Sequence, residues 1–291
     1  MDALDVFEPI PTTVPPPPHP HGKLRERLEE LVESGFLDLP ILPGVAAEVV
    51  ALTSDEECDV RKLAAVIKRD QAMAGHMLRM ANSAAHRGLV QVASLQQAMS
   101  RLGMALVRQF AFVISCQNRV FRVKGREDEV RALFVHSLAT GLYAQEVARM
   151  RRSNVEEAFL AGLLHDVGKP VLLQAVIDFT TQEPFSEDEV QDAVLDLHAY
   201  VGGELAHQWG LSDRLAEAIA HHHNPAAAPS NRDGALTVRL ADDLAKLVVD
   251  PTITKDIHMH AALAPLNLYP EDVDRLVAMR DDVAAQLEAM Q

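Results

Sequence analysis

Apolar side chains recur at spacings of three and four along most of the chain, a pattern that predicts helices. Leu24, Leu28, Leu31 and Val32 form the first stripe, and Gly35 closes it. The Leu39-Pro40-Ile41-Leu42-Pro43 segment forces an extended turn before a helix predicted over 45–52. Further helices are predicted over 59–69 and 73–83, then from a Ser94 cap to Gly103, then over 104–121 and 127–151. Ser153 and Asn154 cap another, ending near His165. An acidic loop at 183 passes into a helix reaching Trp209, and shorter helices follow at 212–222, 234–249, 257–263 and after Pro270. No convincing period-two alternation occurs, so little or no sheet is expected. Residues 1–22 stand apart: Pro15 to Pro18 run together, which favours an extended leader and excludes a helix.

Composition narrows the class. Of 291 residues, 48% are hydrophobic and only 4% aromatic, so the core should be aliphatic. The net charge of −15 argues against a protein that coats a duplex. Two cysteines, Cys58 and Cys116, exclude a disulfide framework. No uninterrupted apolar run reaches the roughly 20 residues needed to span a bilayer. The expectation is a cytoplasmic protein without a membrane partner.

Thirteen histidines place the chemistry. His165-Asp166-Val167-Gly168-Lys169 closes an apolar helix, and Gly168 is expected to break it there. An imidazole and a carboxylate from adjacent residues can then share a divalent cation, with Lys169 facing an anionic oxygen. The alternative is a plain helix end, with His165 at the negative pole of the dipole and Gly168 as cap. His136, His198 and His222 each have apolar neighbours one turn away, which turns them inward. His207 should be partly exposed. Buried rings need partners for their nitrogens, and three inward histidines beside an HD doublet are hard to satisfy as ordinary core. Asp243, flanked by Arg239 and Lys246, reads as a surface ion-pair partner. Asp242, with Val238 and Ala245 on its side, lies nearer the core and wants a cation or strong donors.

The order His136, His165-Asp166, His198, His222-His223, Asp242 resembles the HD superfamily of metal-dependent phosphohydrolases. Leu39 to Pro43, Ile67 to Gln71, Leu78 to Ser83, Ser94 to Ala98 and Arg101-Leu102-Gly103 resemble the HDOD family, the HD-related output domain. The resemblance covers roughly residues 36–245. It implies an all-α fold, with an N-terminal helical subdomain (23–126) packed on a C-terminal HD-like helical subdomain (127–291). It also implies bacterial signal transduction through partners, supplied here in trans. HDOD proteins commonly have degraded HD ligands and are not generally regarded as enzymes; this chain keeps most of them. The implied metal set is His136, His165, Asp166, His198, His222, His223 and Asp242, for one or two ions of Mn, Fe or Zn. Cyclic-di-GMP hydrolysis is disfavoured. The Gly-Tyr-Pro segment of HD-GYP phosphodiesterases is replaced by Asn224-Pro225-Ala226-Ala227-Ala228-Pro229, and Ala132 stands where they place a Glu.

The expectation is therefore an HDOD-type regulatory protein acting by binding rather than turnover. The alternative is a divalent-metal phosphohydrolase acting on a nucleotide or other phosphoester, with Asp166 and Lys169 catalytic. Residues 101–152 hold ten basic against four acidic side chains. Within them Arg119, Arg122, Lys124, Arg126 and Arg131 form a candidate docking patch for an acidic partner or an anionic nucleotide. Nucleic acid is not expected there, because no aromatic interleaving accompanies the charges.

Overall fold

The structure is a computed structural model that describes residues 23–35, 37, 39–40, 44, 47–48, 60–69, 71–83, 86, 90–180, 185–249 and 251–290. The leader expected at 1–22 lies outside them, as does most of the helix expected at 45–52. Among the described residues every regular element is helical.

The N-terminal half begins with α1 (Lys23–Glu33), followed by α2 (Val60–Lys68), α3 (Gln71–Asn82), α4 (Leu95–Leu102) and α5 (Met104–Arg119). Its distinctive residues have plain structural work. The Asn82 side-chain amide donates to Leu78 O and Val92 O, at 3.0 and 2.9 Å, and accepts from Val92 N at 2.8 Å. It thereby pins the loop back onto α3. Arg101 ties down the same loop through Ala81 O and Val90 O. Ser94 accepts from Gln97 N and starts α4. Gly103 joins α4 to α5 at φ 78°, a left-handed value open to glycine and costly to other residues.

The C-terminal half contains α6 (Glu127–Met150), α7 (Val155–Leu164), α8 (Gly168–Thr180), α9 (Glu187–Gln208), α10 (Asp213–Ala220) and α11 (Arg232–Lys246). Asn154 caps α7, and Ser186 with Glu189 forms a capping box on α9. Helices α6 and α7 cross where two glycines meet: a Cβ on Gly162 would fall 2.8 Å from Gly141 Cα and from Thr140 O. Residues 155–178 have the length and apolar character of a membrane span, but they fold into α7 and α8 and are largely buried.

Three details differ from expectation. Gly168 does not cap α7. That helix ends at Leu164, residues 165–167 form a turn, and Gly168 opens α8. A Cβ there would sit 2.1 Å from His198 O, so it is a packing glycine between α8 and α9. The helix expected at 257–263 is instead α12 (Thr254–His258), followed by turns. Beyond Pro270 the chain forms two helices, α13 (Pro270–Ala278) and α14 (Arg280–Met290).

One apolar cluster runs through both halves, from Leu24 to Leu287. The halves are also joined by specific polar contacts. Buried Arg25 on α1 pairs with Asp196 on α9 at 3.0 Å. Trp209 Nε1 donates to Pro40 O at 2.7 Å, and Gln109 on α5 donates to Gln145 on α6. Helix α14 packs on both α6 and α3.

Candidate metal centre

Five elements deliver the predicted residues to one place. Helix α6 carries His136, the turn after α7 carries His165 and Asp166, α9 carries His198, the turn after α10 carries His222 and His223, and α11 carries Asp242. His136 Nε2 lies 2.7 Å from Asp242 Oδ1. His165 Nε2 lies 3.3 Å from Asp166 Oδ2 and 3.9 Å from Asp242 Oδ1. His198 Nε2 lies 3.3 Å from Asp166 Oδ1 and 3.0 Å from His223 Nε2. The rings of His165 and His222 meet edge to face at 5.1 Å between centroids. Two sets of three result, His136/His165/Asp166 and His198/His222/His223, each with its ligand atoms within 4.8 Å of one another.

The backbone decides which ring nitrogen carries the proton. His165 Nδ1 donates to Gly162 O at 2.8 Å, His198 Nδ1 to Leu195 O at 2.8 Å, and His222 Nδ1 to Ile219 O at 2.7 Å. A carbonyl only accepts, so each Nδ1 holds a hydrogen; in the neutral rings of His198 and His222 Nε2 is left as a bare lone pair, whereas His165 Nε2 lies 3.3 Å from Asp166 Oδ2 and is placed to donate to it. The His198 lone pair faces Asp166 Oδ1 at 3.3 Å, and the His198 and His222 rings meet at 5.4 Å between centroids. Because the His198 ring is neutral, its 3.3 Å approach to Asp166 is acceptor against acceptor and not an ion pair. Asp166 Oδ1 and His222 Nε2 are both buried and have no hydrogen-bond partner among the described residues.

Electrostatics follow from this geometry. Burial pushes the His198 pKa down to about 4, and burial together with the neighbouring imidazoles takes His222 well below the usual range. For His165 burial acts downward, but the Asp166 and Asp242 carboxylates outweigh it and raise its pKa. Burial would raise the Asp166 pKa; His165 and Lys169 instead hold it well below the usual carboxylate range. The cluster is a pocket of acceptors that demands positive charge. A divalent cation fits it: borderline nitrogen donors, hard carboxylate oxygens, and ring orientations fixed by backbone carbonyls are what such a site requires.

Other candidates sit differently. Lys169 Nζ donates to Asp166 Oδ2 at 2.6 Å. His207 is exposed and 3.6 Å from Asp213. Arg239, expected to pair with Asp243, donates instead to His223 O at 2.9 Å and fixes the backbone of the histidine run. Lys246 contacts Asp242 Oδ2 at 3.2 Å as well as Asp243 Oδ1 at 2.6 Å. Sequence reasoning missed the Asp242 contact, although the spacing of four was there to be read. It also missed His260, whose Nε2 lies 3.1 Å from Asp243 Oδ2; a turn places it there, and no local periodicity signals it.

In the basic junction, Arg122, Lys124 and Arg131 are exposed, while the Arg119 side chain lies outside those described. Arg126 is partly exposed and already paired within the chain. Its guanidinium makes two 2.7 Å bonds to Glu187 and one of 2.8 Å to Glu129, tying the start of α6 to α9.

The chain matches the HDOD domain over residues 39–225. Among solved structures, an HDOD domain protein of unknown function from Geobacter sulfurreducens superimposes with a TM-score of 0.70 at 20% identity, covering 92% of this chain and 98% of that one. A candidate metal-dependent phosphohydrolase from Shewanella amazonensis gives 0.71 at 16% identity, covering 92% and 98%. Both likenesses concern the fold. Among curated proteins, an uncharacterized protein of Treponema pallidum is 25% identical over 202 residues, 66% of this chain and 39% of that protein. Ribonuclease Y of Geobacter metallireducens is 32% identical over 102 residues, 35% of this chain and 16% of that enzyme. The chain thus spans well under half the length of these curated relatives.

Proposed function

Because the chain belongs to the HDOD family, we propose that it is a cytoplasmic regulatory protein that signals by binding partners in trans, with a divalent-metal centre in its HD half. The observation that carries the metal is the meeting of the buried His198 and His222 Nε2 acceptors with a partnerless Asp166 oxygen, beside His136, His165 and Asp242. Hydrogen-bonded protein alone leaves that charge distribution unbalanced. His136, His165, Asp166 and Asp242 would hold one ion, and His198, His222 and His223 a second, with Asp166 between the two sets. Three of these residues, His136, His223 and Asp242, reach partial or full exposure, so the centre faces a ligand rather than lying sealed. The exposed arginines Arg122 and Arg131 and Lys124 supply a surface for an acidic partner or an anionic nucleotide.

A second reading is favoured by the completeness of the ligand set and by Lys169, partly exposed beside Asp166. In that reading the protein is a phosphohydrolase. A bound divalent ion would activate water and polarise a phosphoester oxygen. Lys169 would neutralise a phosphoryl oxygen, and the buried histidines would hold the ligands in register.

Metal analysis of protein purified without a histidine tag tests the first point. One or two equivalents of Mn, Fe or Zn are expected, with loss of metal in Asp166→Ala. Metal-free protein that also ignores added ions refutes the centre. Turnover separates the two readings: no hydrolysis of cyclic-di-GMP or of bis(p-nitrophenyl) phosphate is expected by the metal-loaded protein. Hydrolysis that disappears in Asp166→Ala establishes the second reading.

A further inference from the structure

The Asp242 ligand is held from behind by residues outside the span that matches the family. Lys246 Nζ donates to Asp242 Oδ2 at 3.2 Å and to Asp243 Oδ1 at 2.6 Å. Asp243 Oδ2 in turn receives His260 Nε2 at 3.1 Å. The His260 tautomer is set by the chain itself, since Ala262 N donates to His260 Nδ1 at 3.1 Å and leaves the proton on Nε2. His260 is nearly buried, in the turn that follows α12, and Asp243 and Lys246 are only half exposed. The result is a directed chain of donors, Ala262 to His260 to Asp243, with Lys246 bridging Asp243 to Asp242. It occupies Oδ2 of Asp242 and leaves Oδ1 facing His136 and His165.

We infer that Lys246, Asp243 and His260 are positioning residues that present Asp242 through one oxygen to the metal centre, so that the segment after residue 251 tunes metal affinity. This rests on the metal-centre reading above. The geometry is that of an outer layer around a ligand, where removing a partner costs about tenfold to a hundredfold in affinity. The same segment is anchored independently of the site, because Arg151 Nε donates to Leu266 O at 3.0 Å. His260 therefore has a fixed base from which to hold Asp243.

The test is Zn2+ titration by calorimetry on the full chain, with far-UV circular dichroism and metal-free melting as fold controls. Lys246→Met separates positioning from charge. An ammonium beside a dication repels it, so on charge alone the loss of Lys246 tightens Zn2+ binding. Loss of its grip on Asp242 weakens it, and weakening of about tenfold is expected. His260→Ala removes a neutral donor, so charge predicts no change where positioning predicts weaker binding; His260→Gln, which keeps a donor near the Nε2 position, should restore it. Both effects should vanish in an Asp242→Ala background, because they act through that ligand. Wild-type protein that binds Zn2+ while Lys246→Met and His260→Ala bind it equally well or more tightly overturns the inference and leaves the metal centre standing. Wild-type protein that binds no Zn2+ overturns both.

Discussion

Gly168→Ala is the sharpest test of how the centre is built. Position 168 opens α8 against α9, and an added Cβ would lie 2.1 Å from His198 O, 2.9 Å from His198 C and 3.0 Å from Gly202 N. All three are backbone atoms, so no side chain can swing aside. Restoring an ordinary contact of about 3.5 Å requires the backbones to part by about 1.4 Å. Overpacking of well-packed interiors costs about 1–3 kcal/mol, and a clash between backbones belongs at the upper end, about 3 kcal/mol. At roughly 2 °C per kcal/mol for a chain of this size, the melting temperature should fall by about 6 °C. The displaced residue is His198, which stands 3.3 Å from Asp166, so Zn2+ binding should weaken as well. Gly75→Ala is the control. Gly75 lies inside α3, where a Cβ would meet only the flexible end of Arg79, at 3.7 Å. Relief of the glycine cost inside a helix should stabilise that variant by about 0.5–1 kcal/mol. Urea unfolding of both variants against wild type decides the matter. A Gly168→Ala protein that melts within a degree of wild type, or that binds Zn2+ unchanged, refutes the argument that this glycine sets the distance between α8 and α9.

Further outcomes can be checked on the same preparations. Saturating Zn2+ should raise wild-type stability by about 2.7 kcal/mol at a hundredfold excess over the dissociation constant, with the gain absent in Asp166→Ala, read as a melting shift. Arg126→Glu should destabilise the fold by about 1 kcal/mol, a modest value because Glu187 is largely exposed and screened, as measured by the urea midpoint. The Arg126 hydrogen bonds draw the Glu187 pKa down from 4.5 to about 2. Because the folded-state value is depressed, this contribution is present above pH 4.5 and is lost as pH falls toward 2; in Arg126→Met the acid limb of the stability profile should flatten in that window. Arg152 sits at φ 54° just past the end of α6, so Arg152→Gly should stabilise by about 0.5–1 kcal/mol in the same assay.

Local spacing made the helices and the inward faces of His136, His198 and His222 legible in the sequence, because each lies a turn away from apolar residues that had to be buried. Spacing also separated Asp242 from Asp243, since only one of them has apolar neighbours on its side. Two kinds of feature were out of reach. Contacts between distant segments, such as Arg126 to Glu187 and His260 to Asp243, depend on where turns deliver a side chain, and no period encodes that. Close backbone approach was equally hidden: a glycine after an HD doublet reads as a helix stop, and only the packing of α8 on α9 shows it to be a spacer. The tautomers of His165, His198 and His222 belong with these. They follow from carbonyls three residues back, at helix ends or within α9, and so from backbone geometry rather than residue type.

The crossing of α6 and α7 at Gly141 and Gly162 has an evolutionary consequence. With glycine on both helices at the crossing, main chain meets main chain there, and that close approach helps to set the gap that separates His136 from His165. A lineage can then exchange or lose individual ligands by point mutation without moving the scaffold that held them. The shape of the centre is inherited separately from its chemistry. A descendant that lacks these side chains keeps the same cleft, open to a new occupant.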